Sequence, residues 1–257
     1  MKVVLVTQED AFYIPRLIAA LMPERSRDIV AISILPGEIG ARNIRKYVEF
    51  MGAGDFTRHS LRYASCRVLD LLFPRGVAGR YWSVAAVAKH NRIPVLRTDD
   101  VNAPSHLTRL RELSPDLVVS IAAPQIFREE LLALPSRGCI NIHNALLPRY
   151  QGMLPSFWVL AQDEEFTGTT VHYMTDRVDA GRIILQEKVR ITDSETVHSL
   201  LYRTKVDIGP RLLLQALSMI EAGEVPTMDV DWSQATYHSF PDKAAVARFR
   251  RLGKKFR

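Results

Sequence analysis

The chain has 257 residues, 47% of them hydrophobic and 24% charged, which suits one large α/β domain with material for a sizeable core. Its two cysteines, Cys66 and Cys139, lack a paired spacing, which argues against a disulfide framework and for a reduced, cytoplasmic setting. No run approaches the roughly 18 apolar residues of a membrane span, and the opening MKVVLVTQED is too short for a signal-peptide core. The net charge of +6 is local: the last ten residues hold six basic side chains, and without them basic and acidic residues balance at 28 each. That end reads as solvated, so neither nucleic acid nor membrane is expected as a partner.

Val3 to Thr7 reads as a buried strand, followed by a turn and a helix with Pro15 near its first turn. Ile29 to Leu35 is a second strand closed by Pro36-Gly37. Strand, helix, strand predicts an α/β fold with a doubly wound, mostly parallel sheet and helices on both faces. No GxGxxG follows the first strand, which disfavours a dinucleotide enzyme. From about residue 41 to 92 the pattern is a helical insertion: Ile44, Tyr47, Val48 and Met51 recur at helical spacing, as do Val68, Leu71 and Leu72, with a break near Gly52 to Asp55. A further helix carries Trp82, Val84, Val87 and Ala88 and ends before Pro94. Val95 to Arg97 is a short strand, Pro104 to Leu113 a helix, Asp116 to Ile121 a buried strand, and Ile126 to Leu134 a helix.

Cys139 to His143 is the next strand. After a helix over Ser156 to Gln162 come strands from Thr167 to Met174 and Arg182 to Val189. Thr192-Asp193-Ser194-Glu195 resembles a capping box, and the helix it opens is kinked or divided by Pro210 and ended by Gly223 and Pro226. The expected division is a domain over 1–226 and a short carboxyl-terminal extension with a basic tail over 227–257.

In the Cys139 to His143 strand, a period of two puts Asn141 and His143 on one face, at the carboxyl end where open α/β sheets keep their ligands. Asp179 follows in Val178-Asp179-Ala180-Gly181. An amide donor, an imidazole and a carboxylate suit oxyanion stabilisation and proton transfer if the three meet. Singly, each also has a structural reading: a bonded strand end, a structural histidine, a turn former. His172 shares the ambiguity. No HExxH or cysteine pair accompanies these histidines, so no metal site is expected.

Asn141-Ile142-His143 followed by Asn144-Ala145-Leu146-Leu147-Pro148-Arg149-Tyr150-Gln151-Gly152, the strand beginning Thr167-Gly168-Thr169-Thr170-Val171-His172, and the loop Asp176 to Gly181 together resemble the 10-formyltetrahydrofolate-dependent formyltransferases. The likeness is close over roughly Asp116 to Thr192 and looser to both ends. It implies a Rossmann-like fold and formyl transfer from N10-formyltetrahydrofolate to an amine, without a metal. Asn141 would stabilise the oxyanion, protonated His143 would assist, and Asp179 would orient His143 and raise its pKa. The pterin would sit against Ala122, Ala123, Pro124, Gln125 and Ile126 and the loop residues Thr175, Asp176 and Val178, largely through backbone. Gln8, Phe12, Tyr13, Tyr150 and Gln151 would line the acceptor's side.

Within that family, glycinamide ribonucleotide formyltransferases carry a Gly/Ser/Asn-rich phosphate loop after the first strand. Here Thr7-Gln8-Glu9-Asp10-Ala11-Phe12 stands in its place, with acidic residues. Methionyl-tRNA formyltransferases add a basic carboxyl-terminal barrel, for which the residues after Pro226 are too few. The layout is most similar to sugar N-formyltransferases, so a nucleotide-linked amino sugar is the expected acceptor. A tRNA-directed enzyme and a formyltetrahydrofolate hydrolase are the alternatives. Helices after Thr192 offer an apolar face on which a homodimer could form.

Overall fold

In the computed structural model, which describes residues 1–37, 43–226 and 228–257, the apolar runs become β1 (Val3–Gln8), β2 (Ile29–Leu35), β3 (Val95–Arg97), β4 (Leu117–Ile121) and β5 (Cys139–His143). These five are parallel neighbours in the order β3-β2-β1-β4-β5. In β1, β2 and β4 consecutive side chains are buried, as in a parallel sheet covered on both faces. The short β6 (Gln151–Gly152) stays outside this sheet. Then β7 (Phe166–Tyr173) and β8 (Ile183–Arg190) extend the sheet antiparallel beyond β5, making it seven-stranded. β9 (Tyr237–His238) pairs in parallel with β6.

The helices are α1 (Ile14–Arg25), α2 (Ile44–Met51), α3 (Ala53–Leu72), α4 (Val84–His90), α5 (Pro104–Leu113), α6 (Glu129–Leu132), α7 (Pro155–Ala161), α8 (Val197–Tyr202), α9 (Gly209–Ala222) and α10 (Lys243–Arg251). α1, α4 and α9 cover one face of the sheet, where Leu17, Leu21, Val87 and Leu213 pack on Leu5, Ile32, Val119 and Ile140. α5 and α6 cover the other, where Leu107, Leu110 and Leu131 meet Val4, Val6 and Val118. Burying each such side chain contributes about 1.5–3 kcal/mol. A third cluster contains no strand residue: Phe50 of α2, Phe157 of α7, Leu200 of α8, Phe249 of α10 and Phe256. None of the described helices is long and apolar enough to cross a membrane.

The structure corrects several expected elements. The helix expected over Ile126 to Leu134 shrinks to α6, because Asn102 takes the backbone for itself: its Nδ2 donates to the Ile126 carbonyl at 3.0 Å and its Oδ1 accepts from the Arg128 N–H at 2.8 Å. The capping box lies one turn later than expected, on Thr196 and Ser199, while Glu195 accepts from Ser199 and pairs with Arg203. Before Pro210 the helix widens into a π-helical turn, Arg203–Ile208, between α8 and α9. In the carboxyl-terminal stretch, Phe256 is buried and Lys254 reaches Asp163 at 2.8 Å, so this end is packed rather than freely solvated. The Ala41 end of the insertion and Thr227 lie outside the described residues.

Candidate active site

The site begins with the pleat of β5, which sends Asn141 and His143 to one face. Antiparallel β7 then sets His172 opposite Asn141 and Thr170 opposite His143. The loop after β7 folds back over this face, and Asp179 takes φ 49° there, in the left-handed region that aspartate tolerates better than most residues. Gly181 permits the return, since a Cβ at that position would lie 1.8 Å from the Tyr173 carbonyl oxygen.

The three residues do meet. Asp179 Oδ1 accepts from Asn141 Nδ2 at 3.2 Å and lies 3.4 Å from His172 Nε2. Its Oδ2 accepts from the Gly152 N–H at 2.9 Å and lies 3.4 Å from His143 Nδ1. Its backbone carbonyl accepts from Gln151 Nε2 at 3.0 Å. On the far side of the His143 ring, Nε2 faces the Tyr150 carbonyl oxygen at 2.8 Å. His172 Nδ1 faces the Tyr173 carbonyl at 2.8 Å. A carbonyl can only accept, so His172 Nδ1 carries a proton, while its Nε2 lies 3.3 Å from Asn141 Nδ2 as well as beside Asp179.

Burial alone would push the Asp179 carboxyl up, but His143, His172 and the Gly152 N–H outweigh it and hold it well below the usual carboxylate range. Burial pushes the His143 imidazole below its ordinary value, and Asp179 offsets only part of that. Asp179 does raise the His143 imidazole, as expected, but desolvation is the larger effect and the net shift is downward. Both ring nitrogens of His143 nevertheless face acceptors, so a proton gained during a reaction finds a partner on either side.

Other expected residues are distributed unevenly. Ala122, at the end of β4, adopts φ 53°, and Ala122 through Gln125 are half-buried with Ile126 exposed. The Gln125 side chain is already engaged, accepting from the Val101 N–H at 2.8 Å and donating to the Asp99 carbonyl at 2.7 Å, which leaves its backbone for any ligand. Thr175 and Arg177 bond each other in a local turn, Asp176 is exposed and Val178 half-buried. Tyr150 and Gln151 do not present side chains to an acceptor: Tyr150 Oη donates to Glu164 at 2.5 Å, and Gln151 holds the Asp179 loop. Gln8 is half-buried at the end of β1 and Phe12 is buried, with Tyr13 beside it.

The acidic pair after β1 is structural. Asp10 accepts from the N–H groups of Phe12, Tyr13 and Ile14 at 2.8–2.9 Å, and Glu9 accepts from the Val84 N–H at 2.6 Å. Each places a carboxylate on the first turn of a helix, α1 and α4, where the helix dipole favours negative charge.

Sequence reasoning left His172 open and missed the Tyr150 carbonyl, the Gly152 N–H and a group of cations around Tyr13. Only His172 carried a signal, the alternation that puts it on the same face of β7 as Thr170. The other groups are brought in by chain folding.

A family model of the formyl transferases matches residues 77–217. Among solved structures, the fold is similar to phosphoribosylglycinamide formyltransferase from Bacillus halodurans, at 20% identity and TM-score 0.59, covering 89% of this chain and 100% of that one. It is similar to a sugar N-formyltransferase from a Shewanella species, at 19% and 0.57, over 93% and 77% of the two chains. It is also similar to an N-formyltransferase from Helicobacter canadensis in complex with folinic acid and dTDP-3-aminofucose, at 15% and 0.59, over 93% and 71%. With more than half of its residues under the family model and this fold around them, the chain belongs to the formyl transferase family.

Proposed function

We propose that the protein transfers the formyl group of N10-formyltetrahydrofolate to the primary amine of a small molecule, a nucleotide-linked amino sugar. The observation that carries this reading is the convergence of Asn141, His143 and His172 on one ionised carboxylate, Asp179, at the carboxyl end of β5. The half-buried small residues Ala122 and Ala123 leave the main chain approachable, which suits recognition of the flat pterin by backbone groups. When bound, the folate supplies the activated formyl group. Asn141 Nδ2 exchanges one of its long bonds for the developing oxyanion. His143, whose imidazole burial holds below its ordinary value, takes up the proton that the attacking amine loses, and Asp179 stabilises the resulting imidazolium. His172 holds the Asn141 amide in place.

The acceptor is argued from the loop after β1. Asp10 fills the first turn of α1, where a phosphate loop would offer its N–H groups. A glycinamide ribonucleotide seated in that place would meet a fixed carboxylate, which favours the amino-sugar reading. Tetrahydrofolate release should be followed with N10-formyltetrahydrofolate and a panel of amino-sugar nucleotides. Turnover with one of them, lost in Asn141→Ala, His143→Ala and Asp179→Ala while folding survives, is the expected result. Near-normal turnover in all three variants would sink the mechanism, and turnover with glycinamide ribonucleotide alone would sink the acceptor.

A further inference from the structure

The stretch after residue 226, read from the sequence as an extension, runs alongside the active site. Following a 3-10 turn over Trp232–Gln234, residues 235–240 lie against the 148–153 loop. The Gln151 N–H donates to the Thr236 carbonyl and the Met153 N–H to the His238 carbonyl, each at 2.8 Å. The Tyr150 N–H donates to the Thr236 hydroxyl at 2.9 Å. The His238 ring stacks on Tyr150 with centroids 5.1 Å apart, and Trp158 Nε1 donates to the Ser239 carbonyl at 3.0 Å. Phe240 then packs against Tyr47 and Phe50 of α2, so this strap is anchored beyond the loop it crosses. At Gly152 the two backbones approach so closely that a Cβ would lie 2.4 Å from the His238 carbonyl oxygen.

The crossed loop is also what holds the reaction centre. Gln151 and Met153 turn their N–H groups to the strap, and the intervening Gly152 N–H points to Asp179 Oδ2 at 2.9 Å. Tyr150 adopts φ 61°, in the left-handed region that a bulky residue rarely enters. Such backbone persists where its neighbours over-determine it, and here they do. Thr236 holds the Tyr150 N–H, His238 covers its ring, and Glu164 accepts from its hydroxyl at 2.5 Å. That leaves the Tyr150 carbonyl facing His143 Nε2 at 2.8 Å, against 3.4 Å from Nδ1 to Asp179 Oδ2. Both neighbours only accept, and the carbonyl is the closer. Neutral His143 therefore keeps its one proton on Nε2, and Nδ1 is the nitrogen that takes up a second.

We infer that Thr236 is a positioning residue for formyl transfer. Through it the 235–240 strap holds the Tyr150 carbonyl on His143 and the Gly152 N–H on Asp179, and so fixes which nitrogen of His143 exchanges protons. The inference rests on the reading of His143 as the proton acceptor. It places the strap within the catalytic unit, although none of its side chains reaches the Asn141–His143–Asp179 centre itself.

The test is nuclear magnetic resonance of the full chain carrying isotope-labelled histidine, without folate or acceptor. His143→Gln identifies the His143 signal among the seven histidines. At about pH 8, above the ordinary histidine range, His143 in the parent chain should be the Nε2–H tautomer. Thr236→Val keeps the side-chain volume and removes the hydroxyl; the proton should shift in part to Nδ1, toward Asp179. Thr236→Ser, which keeps the hydroxyl, should restore the parent tautomer. With whichever amino-sugar nucleotide supports turnover, kcat in Thr236→Val should fall about three- to tenfold, the worth of one hydrogen bond. The KM for N10-formyltetrahydrofolate should stay within about twofold. Melting curves confirm that each variant is folded. A parent chain with the proton on Nδ1, a parent-like tautomer in Thr236→Val, or equal changes in the valine and serine variants overturns the inference. Because the resonance measurement needs no substrate, the two readings fail separately. A tautomer that depends on Thr236, without turnover on any amino-sugar nucleotide, removes the acceptor assignment and keeps the strap. Turnover whose kcat is unchanged in Thr236→Val removes the strap's role and keeps the acceptor.

Discussion

The β5 region and the α2–α3 insertion differ in how their side chains are held. In β5 every side chain but Asn141 is buried, and even Asn141 is bonded on two sides. In α3, twenty residues long, none is buried, and Leu61, Val68, Leu71 and Leu72 are mostly exposed, Leu71 by 77%. A strand locked between β4 and β7 can hold the Asn141 amide and the His143 imidazole to within a few tenths of an ångström, which proton transfer and oxyanion stabilisation demand. A helix with no buried side chain offers long side chains such as Arg62, whose reach tolerates looser positioning. The two regions therefore lie under different packing constraints.

Substitutions at the centre should break this comparison most sharply. Asp179→Asn removes the charge that would stabilise protonated His143, and turnover should fall on the order of 10²–10⁴-fold with the melting transition retained. A fall of less than tenfold, measured by tetrahydrofolate release, would show that the carboxylate only shapes the loop.

Backbone geometry comes next. Gly181→Ala places a methyl group 1.8 Å from the Tyr173 oxygen, so the Asp179 loop must shift. A loss of about 1–3 kcal/mol in urea unfolding, together with loss of activity, is expected. Gly168→Ala, with a Cβ 2.1 Å from the Glu187 carbonyl oxygen, should cost a similar amount in β7.

Protonation sharpens the contrast at the rim. His198 titrates near 6.5 when unfolded and at about 4 in the fold, so between those values the unfolded chain binds the extra proton. Stability should therefore fall as pH drops from about 6.5 toward 4. His143, also depressed, acts in the same direction. In His198→Gln the urea midpoint should change less between pH 7 and pH 5 than in the parent chain. An equal change would mean that this rim histidine is not linked to folding.

The smallest effect belongs to the exposed face of α3. Leu71→Ser should alter stability by no more than about 0.5 kcal/mol, against about 3–5 kcal/mol for Phe157→Ala in the aromatic cluster. A large loss in Leu71→Ser would mean that this face is covered in solution.

Much of the fold could be read from local patterns. β2, β3 and α5 occupy the expected residues, because each is a run with one period bounded by Pro, Gly or a turn. The pairing of Asn141 with His143 on one face followed from the strand period alone. What misled was local competition for backbone groups. Asn102, distant in sequence, shortens α6, and Thr196 takes the capping role expected of Thr192. The stripe of Val68, Leu71 and Leu72 has a helical period, but periodicity does not say which side a helix packs on.

The sequence by itself determined the doubly wound, mostly parallel class of the sheet, the face shared by Asn141 and His143, and the acidic character of the loop after β1. These depend on neighbours a few residues apart. Only the tertiary structure decided that Asp179 closes on both residues, that His172 joins them, that the acids after β1 cap helices, and that Arg62 meets His198 beside Tyr13. The physical reason is distance along the chain: Asp179 comes 38 residues after Asn141, and Arg62 comes 136 before His198. Contacts of that span are set by how helices and strands pack, and packing has no local signature.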